Sequence, residues 1–482
     1  MEQKLPENWA ESRFSNLVSF VIGGDWGKDV KLELDDEYTE VLCIRGSEIK
    51  NWNYDKGSTA VTRKIKESSL EKRQLVDGDI LLEISGGGPD QPVGRTIYIE
   101  SEILKDIPIV CTNFLRLIRI HNTINKKYIY YYLQHFYFAG NIIKYQGGSN
   151  NLRNLKYKEF ENILVPLPPL SEQQRIVQKL DQLFGELDFF KKRLERIFIS
   201  LKNLKEILLD KAVIGDLTID WRKSKQLNAL EINNNRNENY FIHSLPETWK
   251  HSIISDLGNV KGGKRLPKGE KLVEYDTGYP YIRARDLKKS TVITDNVKFI
   301  TSKIQRQIKN YTVNSGDLYM TIVGAKIGDT GIIPPEMDKV NLTENAAKIT
   351  DLKEEYVFNK YLSFWLRSLI SQKNIKESIM SAAQGKLALS RIKKLPVYLP
   401  PLKEQQEIVK RVDKLFKSID SIEKRYHILK EKIDTLPQAI LAKAFTGELV
   451  PQLDTDGDAR DLLKEIEALN TAFSKKRKVK KK

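Results

Sequence analysis

PPLSEQQRIVQKLDQLFGELD (168–188) returns later in the same chain as PPLKEQQEIVKRVDKLFKSID (400–420). Extended to 168–217 and 400–449, the two segments are identical at 20 of 50 positions without a gap, which marks a tandem duplication. Within the first copy, apolar residues fall at Ile176, Leu180, Leu183, Leu187, Phe190, Leu194, Ile197, Leu201, Leu204 and Leu208, in alternating steps of four and three. The second copy repeats the seam at Ile408, Val412, Leu415, Ile419, Ile422, Tyr426, Leu429, Ile433, Leu436 and Ile440. A heptad row held this long predicts a coiled-coil helix. A straight 3.6-residue helix buried on a core would drift off the stripe. Two matching seams in one chain are most simply satisfied by each other; the alternative is that each packs on its own domain. Pro168-Pro169 and Pro400-Pro401 punctuate the starts. Ser171 with Gln174 forms a capping-box pattern, whereas Lys403 leaves the second start less well capped. Gly215 and Gly447 suit helix stops, and Pro437 predicts that the second helix ends or kinks early.

Outward from the helices, similarity falls to islands. LPENW (5–9) returns as LPETW (245–249), IRGSEI (44–49) as IRARDL (282–287), and VDGDILLEISG (76–86) loosely as NSGDLYMTIVG (314–324), with Gly78-Asp79 matching Gly316-Asp317. NKKYIYYYLQ (125–134) echoes NKYLSFWLRS (359–368). DILLEIS (79–85) and DLYMTIVG (317–324) read as strands. YIYYYLQHFYF (128–138) and YLSFWLRSLI (361–370) read as buried helices; base stacking on the aromatic run is the less favoured reading. Asn-rich 222–240 reads as a linker. The expected organisation is α+β: a mixed α/β domain at 1–170, a helix at 171–217, a linker at 218–244, a second mixed domain at 245–402, a helix at 403–449 and a basic tail at 450–482.

At 482 residues, two to four structural units are expected. No run approaches the roughly 20 apolar residues of a membrane span, and MEQKLPENWA lacks a signal core; the expected location is the cytoplasm. Cys43 and Cys111 are too few for a disulfide scaffold, and the five histidines show no metal-ligand spacing. The net charge of +16 includes seven charges from KKRKVKKK (475–482), so the body is basic as well and favours a polyanion. The terminal run resembles a nuclear-import patch but reads better as a solvated, disordered tail. GGDWGKD (23–29) misses the phosphate-loop spacing and carries Asp29 where a magnesium-holding hydroxyl belongs. GGGP (86–89) and GAKIGDTG (324–331) lack dinucleotide-loop spacing, and nucleophile-elbow and HExxH motifs are missing. No catalytic, cofactor-binding or metal-binding residue is therefore assigned.

Two diverged units opened by LPxxW, each followed by PPLxEQQxIV, IVxKLDxLF or its variant IVKRVDKLF, and a KAVIGDL or KAFTGEL ending, resemble the specificity subunit of Type I restriction–modification systems over about 1–450. The resemblance implies two target-recognition domains held by an antiparallel coiled coil. Each domain reads one half of a split double-stranded DNA target in a bacterial or archaeal cell. It implies docking of two methyltransferase subunits, which carry S-adenosylmethionine, and of motor-nuclease subunits using ATP and magnesium, with no membrane role and no catalysis in this chain. Lys403, Pro437 and the 475–482 run depart from the pattern. Base edges and phosphates are read by Arg, Lys, Asn and Gln. The candidates are Arg45, Arg95, Asn150, Asn151 and Arg153 in the first domain, and Lys264, Arg265, Arg283, Arg285, Lys326, Gln384 and Lys386 in the second. Arg45 and Arg283 occupy matching repeat positions, so a shared scaffold role competes for them. A coiled-coil adaptor without DNA specificity, and a nuclease or methylase with an unrecognised site, are the rival classes.

Overall fold

The computed structural model describes residues 5–33, 37–88, 91–104, 107–148, 152–225, 245–380 and 385–479. The chain divides into two compact units, Met1–Arg193 with Leu429–Lys482, and Leu194–Ile428. Each unit holds one mixed domain, part of one long helix and the complementary part of the other.

In the first unit, Ala10–Arg13 pairs antiparallel with Leu164–Leu167, closing the domain at its two ends. The main sheet has four antiparallel strands in the order Val18–Gly23, Leu115–Ile120, Ile80–Glu83, Thr96–Tyr98. In strand Ile80–Glu83 the run Ile80-Leu81-Leu82 is apolar without alternation because both faces are covered. Ile80 and Leu82 enter one core with the helix Lys126–Phe138, while Leu81 enters a second with Trp52, Ile97 and Leu117. A smaller sheet orders Val61–Lys66, Tyr38–Ile44 and Ile109–Cys111, the last pair parallel. Asn125 caps the helix Lys126–Phe138 by accepting from Lys127 N and Tyr128 N, and the aromatic run is core: Tyr128, Tyr131, Tyr132 and Phe136 are buried.

The second unit repeats this plan. Lys250–Ile253 pairs with Pro396–Leu399. The four-stranded sheet runs Asn259–Gly262, Ala346–Thr350, Leu318–Thr321, Thr330–Ile332. Leu318 and Met320 again face one core and Tyr319 the other. Tyr361 on the helix Asn359–Arg367 donates to Tyr398 O (2.6 Å), as Tyr128 donates to Pro166 O (2.7 Å) in the first. Gly78 and Gly316 adopt φ of +85° and +87°, and the aspartate after each accepts from the backbone N–H three residues upstream, Val76 and Asn314. The matching Gly-Asp pairs are thus one turn built twice, with a left-handed residue that glycine supplies without strain.

The long helices are Leu170–Val213 and Leu402–Phe445, and Gly215 and Gly447 follow them in left-handed conformation, φ +87° and +80°. In both units the helix segments run antiparallel. Lys191 Nζ lies 3.9 Å from Asp434 in the first unit. In the second, Lys205 Nζ lies 2.9 Å from both Asp420 and Glu423, and Phe198 stacks on Tyr426 at 4.8 Å. Packing on the domains coexists with helix pairing. Ile176 and Leu180 join the first domain's core with Leu441 and Phe445 from the end of the other helix. Ile408 and Val412 join the second with Leu209 and Val213.

Four expectations need correction. The helix continues through Pro437, because Leu441, Ala444 and Phe445 beyond it are buried; burying such side chains at roughly 1.5–3 kcal/mol each for the larger ones outweighs a lost hydrogen bond and a ring clash of about 3 kcal/mol. Ser171 lies inside its helix and bonds Asp456 Oδ1 (2.9 Å) rather than capping it. The seam is buried along one row only: Leu187, Leu201, Ile419, Tyr426 and Ile433 are covered, whereas Phe190, Ile197, Leu204, Leu415, Ile422, Leu429 and Leu436 remain 37–50% exposed. A seven-residue row drifts about 20° per turn pair on a straight helix, and away from the domains no other described segment covers it. Finally, 450–482 is more than a tail. It contains a helix, Ala459–Val479, that packs on the first domain through Leu462, Leu463 and the fully buried Ile466. Asn470 adds hydrogen bonds to His121 and to Asn16 O, both 3.0 Å.

Candidate nucleic-acid interface

The LPxxW and PPLxEQQ motifs meet in space, although they lie more than 150 residues apart. Trp9 Nε1 donates to Glu172 Oε2 at 3.0 Å, and Trp249 Nε1 to Glu404 Oε2 at 3.0 Å. Both carboxylates are fully buried. The glutamine that follows each joins helix to domain: Gln173 accepts from Asn125 N (3.0 Å) and Gln405 from Phe358 N (2.8 Å). Further partners come from the segment after the opposite helix. Gln452 donates to Glu172 (2.9 Å), and Thr218 (2.7 Å) and Arg222 donate to Glu404. Arg175 makes a bidentate pair with Asp456, both bonds 2.7 Å. Burial raises the Glu172 pKa, while the Arg175 guanidinium holds the Asp456 carboxyl far below its ordinary value. Each domain is thereby fixed to its helix by a buried polar joint.

Each main sheet then opens at one end into loops. In the first domain, Gly23 pairs with Arg116 and Glu83 with Leu115, so the segments after Gly23, after Glu83 and before Leu115 emerge together. Arg153 pairs with Gly87 and brings a fourth segment to the same place. In the second, Gly262 pairs with Ala347, Thr321 with Ala346, and Lys386 bridges Val323. This end gathers Lys264, Arg265, Lys326 and Lys386, all exposed. Arg265 keeps 79% of its side chain exposed while contacting Glu344 at 2.7 Å, and Lys264 Nζ sits 5.4 Å from the Tyr311 ring.

Other candidates sit elsewhere. Arg45 wraps Glu48, bonding it through Nη2 at 2.6 Å, and Arg283 holds Asp286 at 2.7 Å. Both guanidiniums brace the turn after a strand, which corrects their assignment as base readers in favour of the scaffold role. Arg95 is likewise corrected: it pairs with the buried Glu83 (2.5 Å) and Gly46 O (3.3 Å) inside the fold. Burial alone would lower the Arg95 pKa, but Glu83 raises it. Arg285 is exposed on the turn after Pro280–Ile282. Asn150, Asn151 and Gln384 lie outside the described residues. The sequence reading missed the turns 112–114 and 343–345, although the Gly-Gly pairs at 23–24 and 262–263 that pack against them were visible in it. A Cβ on Gly24 would collide with Thr112 O, and one on Gly263 with Thr343 O.

Two like domains, each jointed to an antiparallel helix pair and each opening into loops at one sheet end, which in the second domain carry four exposed cations, define a tandem recognition scaffold. The chain matches the family described as Type I restriction modification DNA specificity domain over residues 6–197 and 246–431, and it belongs to that family: it is a Type I restriction–modification specificity subunit. Among curated relatives, it is 32% identical to the Type I restriction enzyme EcoBI specificity subunit of Escherichia coli, across 74% of each chain. It is 26% identical to the EcoKI specificity subunit of Escherichia coli strain K12, across 99% of each. Among solved structures, the HsdS subunit from Thermoanaerobacter tengcongensis aligns with a TM-score of 0.56 at 16% identity, covering 93% of this chain and 99% of that one. A chain from a study of assembly and conformational transition of the type I R-M system aligns at 0.66 and 16% identity, covering 92% and 100%. At such identities the structures support the fold. Among the described residues, no helix is long and apolar enough to cross a membrane.

Proposed function

We propose that this specificity subunit reads a split double-stranded DNA target, one domain per half-site, and docks two methyltransferase subunits along its helices. The observation that carries the reading is the double construction of one loop-bearing sheet end on two separately cored domains. A non-palindromic split site needs two different readers held in fixed relation, and diverged loops on like scaffolds supply them. The half-exposed apolar residues on each helix, Phe190, Ile197 and Leu204 on the first and Leu415, Ile422, Leu429 and Leu436 on the second, support docking, since solvent-exposed stripes of this kind mark protein contacts. Catalysis belongs to partners: S-adenosylmethionine to the methyltransferase subunits, ATP and magnesium to the motor-nuclease subunits. The test replaces residues 1–165 with the matching region of a relative and reads the methylated motif of the assembled complex. One half of the motif should change and the other persist; a change in both halves would refute independent reading.

A further inference from the structure

The loop ends of the two domains share a backbone and differ in side chains. In the first, Gly24 N donates to Leu115 O (3.1 Å), Asp25 N to Cys111 O (2.8 Å), Leu115 N to Thr112 O (2.9 Å), Thr112 N to Ile44 O (2.9 Å) and Ile84 N to Phe114 O (2.9 Å). In the second, Gly263 N donates to Ala346 O (3.0 Å), Lys264 N to Leu342 O (2.8 Å), Ala346 N to Thr343 O (3.2 Å), Thr343 N to Ile282 O (3.0 Å) and Ile322 N to Asn345 O (2.9 Å). Five bonds in the same order place Thr112 on Thr343, Asn113 on Glu344 and Phe114 on Asn345. The threonine is kept where the glycine packs on its carbonyl, and the next two residues diverge. At the last position only the carbonyl serves the scaffold, which leaves the side chain for another use. Phe114 keeps 51% of its surface exposed at the turn tip. Asn345 is partly exposed, and among the described residues only its backbone, not its side-chain amide, takes part in a hydrogen bond.

We propose that Phe114 and Asn345 are equivalent base-reading positions, one per domain, with Phe114 packing on a thymine methyl group and Asn345 hydrogen-bonding an adenine edge. The chemistry is what the major groove offers: an asparagine amide matches adenine N6 and N7 together, and the thymine methyl is the groove's one apolar knob. Arg153 beside Phe114's loop, and Lys264, Arg265, Lys326 and Lys386 around Asn345's, supply cations at the same sheet ends for phosphate contact and register. This inference rests on the DNA-reading function proposed above and deepens it to individual positions.

The test uses the full chain assembled with its methyltransferase subunits, and single-molecule sequencing of methylated DNA. Phe114→Ala should lose discrimination at one base pair of one half-site by about tenfold, leaving the other half unchanged. Asn345→Ala should do the same in the opposite half. Binding of a duplex carrying deoxyuridine for thymine at the position Phe114 governs should be several-fold weaker than to thymine for the wild type and equal for Phe114→Ala. Backbone anchoring is untouched by either change, so melting curves should match the wild type. A motif that survives both substitutions, a uniform fall in methylation without altered preference, or loss in the same half for both variants overturns the inference alone. A wild-type complex that leaves no split motif overturns the reading and the inference together.

Discussion

Removing the side chain of Ile466 should unfasten the C-terminal helix and soften the first domain while sparing the second. Ile466 is 1% exposed in the core shared by Phe14, Ile118, Tyr128 and Leu180. An Ile→Ala truncation at a buried site loses transfer energy and leaves a cavity, typically 2–5 kcal/mol in all. The neighbours Leu462 and Leu463 are only partly buried and can settle into the space, which places the expectation at about 2–4 kcal/mol. For a unit of this size each kcal/mol lowers the melting temperature by about 2–4 °C, so the first unit should melt roughly 5–15 °C earlier. Hydrogen exchange read peptide by peptide assigns the effect: faster exchange in Ala10–Leu17 and the helix Lys126–Phe138, with no change in Asn259–Thr350. Deleting 480–482 serves as the control and should leave both melts unchanged. Equal protection of the first domain in wild type and Ile466→Ala would show that the segment after 450 is no part of that domain.

Two further predictions concern the joint and the helices. Asp456→Asn removes a carboxylate whose pKa is depressed by Arg175 when folded; the stabilisation is present above the unfolded value of about 3.9 and lost as pH falls below it. The melting difference between wild type and variant should therefore be full at pH 6 and shrink steadily below about pH 4; a gap that stays constant down to pH 2.5 would contradict the pair's role. Adding one heptad after Phe198 and another after Tyr426, residues that face each other, keeps the apolar rows in phase and lengthens each helix by about 10 Å. The gap in the methylated motif should grow by about three base pairs, with affinity weakened by the twist imposed on the DNA; an active variant with an unchanged gap would limit the helices to docking.

The helices, their stops at Gly215 and Gly447, and the cored strands were legible because their causes are local: a heptad row, a left-handed glycine, an apolar run. Corrections arose where distant chain segments decide the outcome. Pro437 reads as a breaker until Phe445 is seen buried against Tyr128 and Tyr132. Ser171 reads as a cap until Asp456, 285 residues away, takes its hydroxyl. The seam reads as uniformly buried because a heptad count carries no information about where the domains cease to cover the helices. Among candidate readers, Arg45 and Arg95 carry the right chemistry for DNA, and only the partner carboxylates Glu48 and Glu83 show that it is spent inside the fold. The turns at 112–114 and 343–345 escaped notice because TNF and TEN share one threonine, and their equivalence lies in carbonyl positions.

The joints explain why islands of likeness persist between two otherwise diverged copies. Tryptophan, glutamate and glutamine must agree at once with strand ends, helix start and the segment arriving after the other helix, so few substitutions satisfy all three. The loops at the sheet ends share backbone bonds and one glycine–threonine contact, and their other side chains answer to no such set. The arrangement is also reciprocal: the segment after the first helix completes the second domain's joint through Thr218 and Arg222, and that after the second completes the first's through Gln452 and Asp456. The two joints are not equal, however. Among the described residues, Glu404 keeps hydrogen bonds from a cation and a hydroxyl if its indole partner is lost, whereas Glu172 keeps one from the neutral Gln452 and feels Arg175 only through its charge. A buried acceptor deprived of a donor costs about 1–3 kcal/mol, more when charged. Trp9→Phe should therefore destabilise its unit more than Trp249→Phe does, by about 1 kcal/mol or more. It should also lift the already raised Glu172 pKa further, so that the Trp9→Phe penalty shrinks on acidification as the carboxyl takes up a proton. Denaturant titration of both variants at pH 7.5 and pH 5 reads the difference. Equal penalties at both positions, unchanged by pH, would mean that the indoles act by packing alone and that the N–H contacts to the glutamates contribute nothing to the joint.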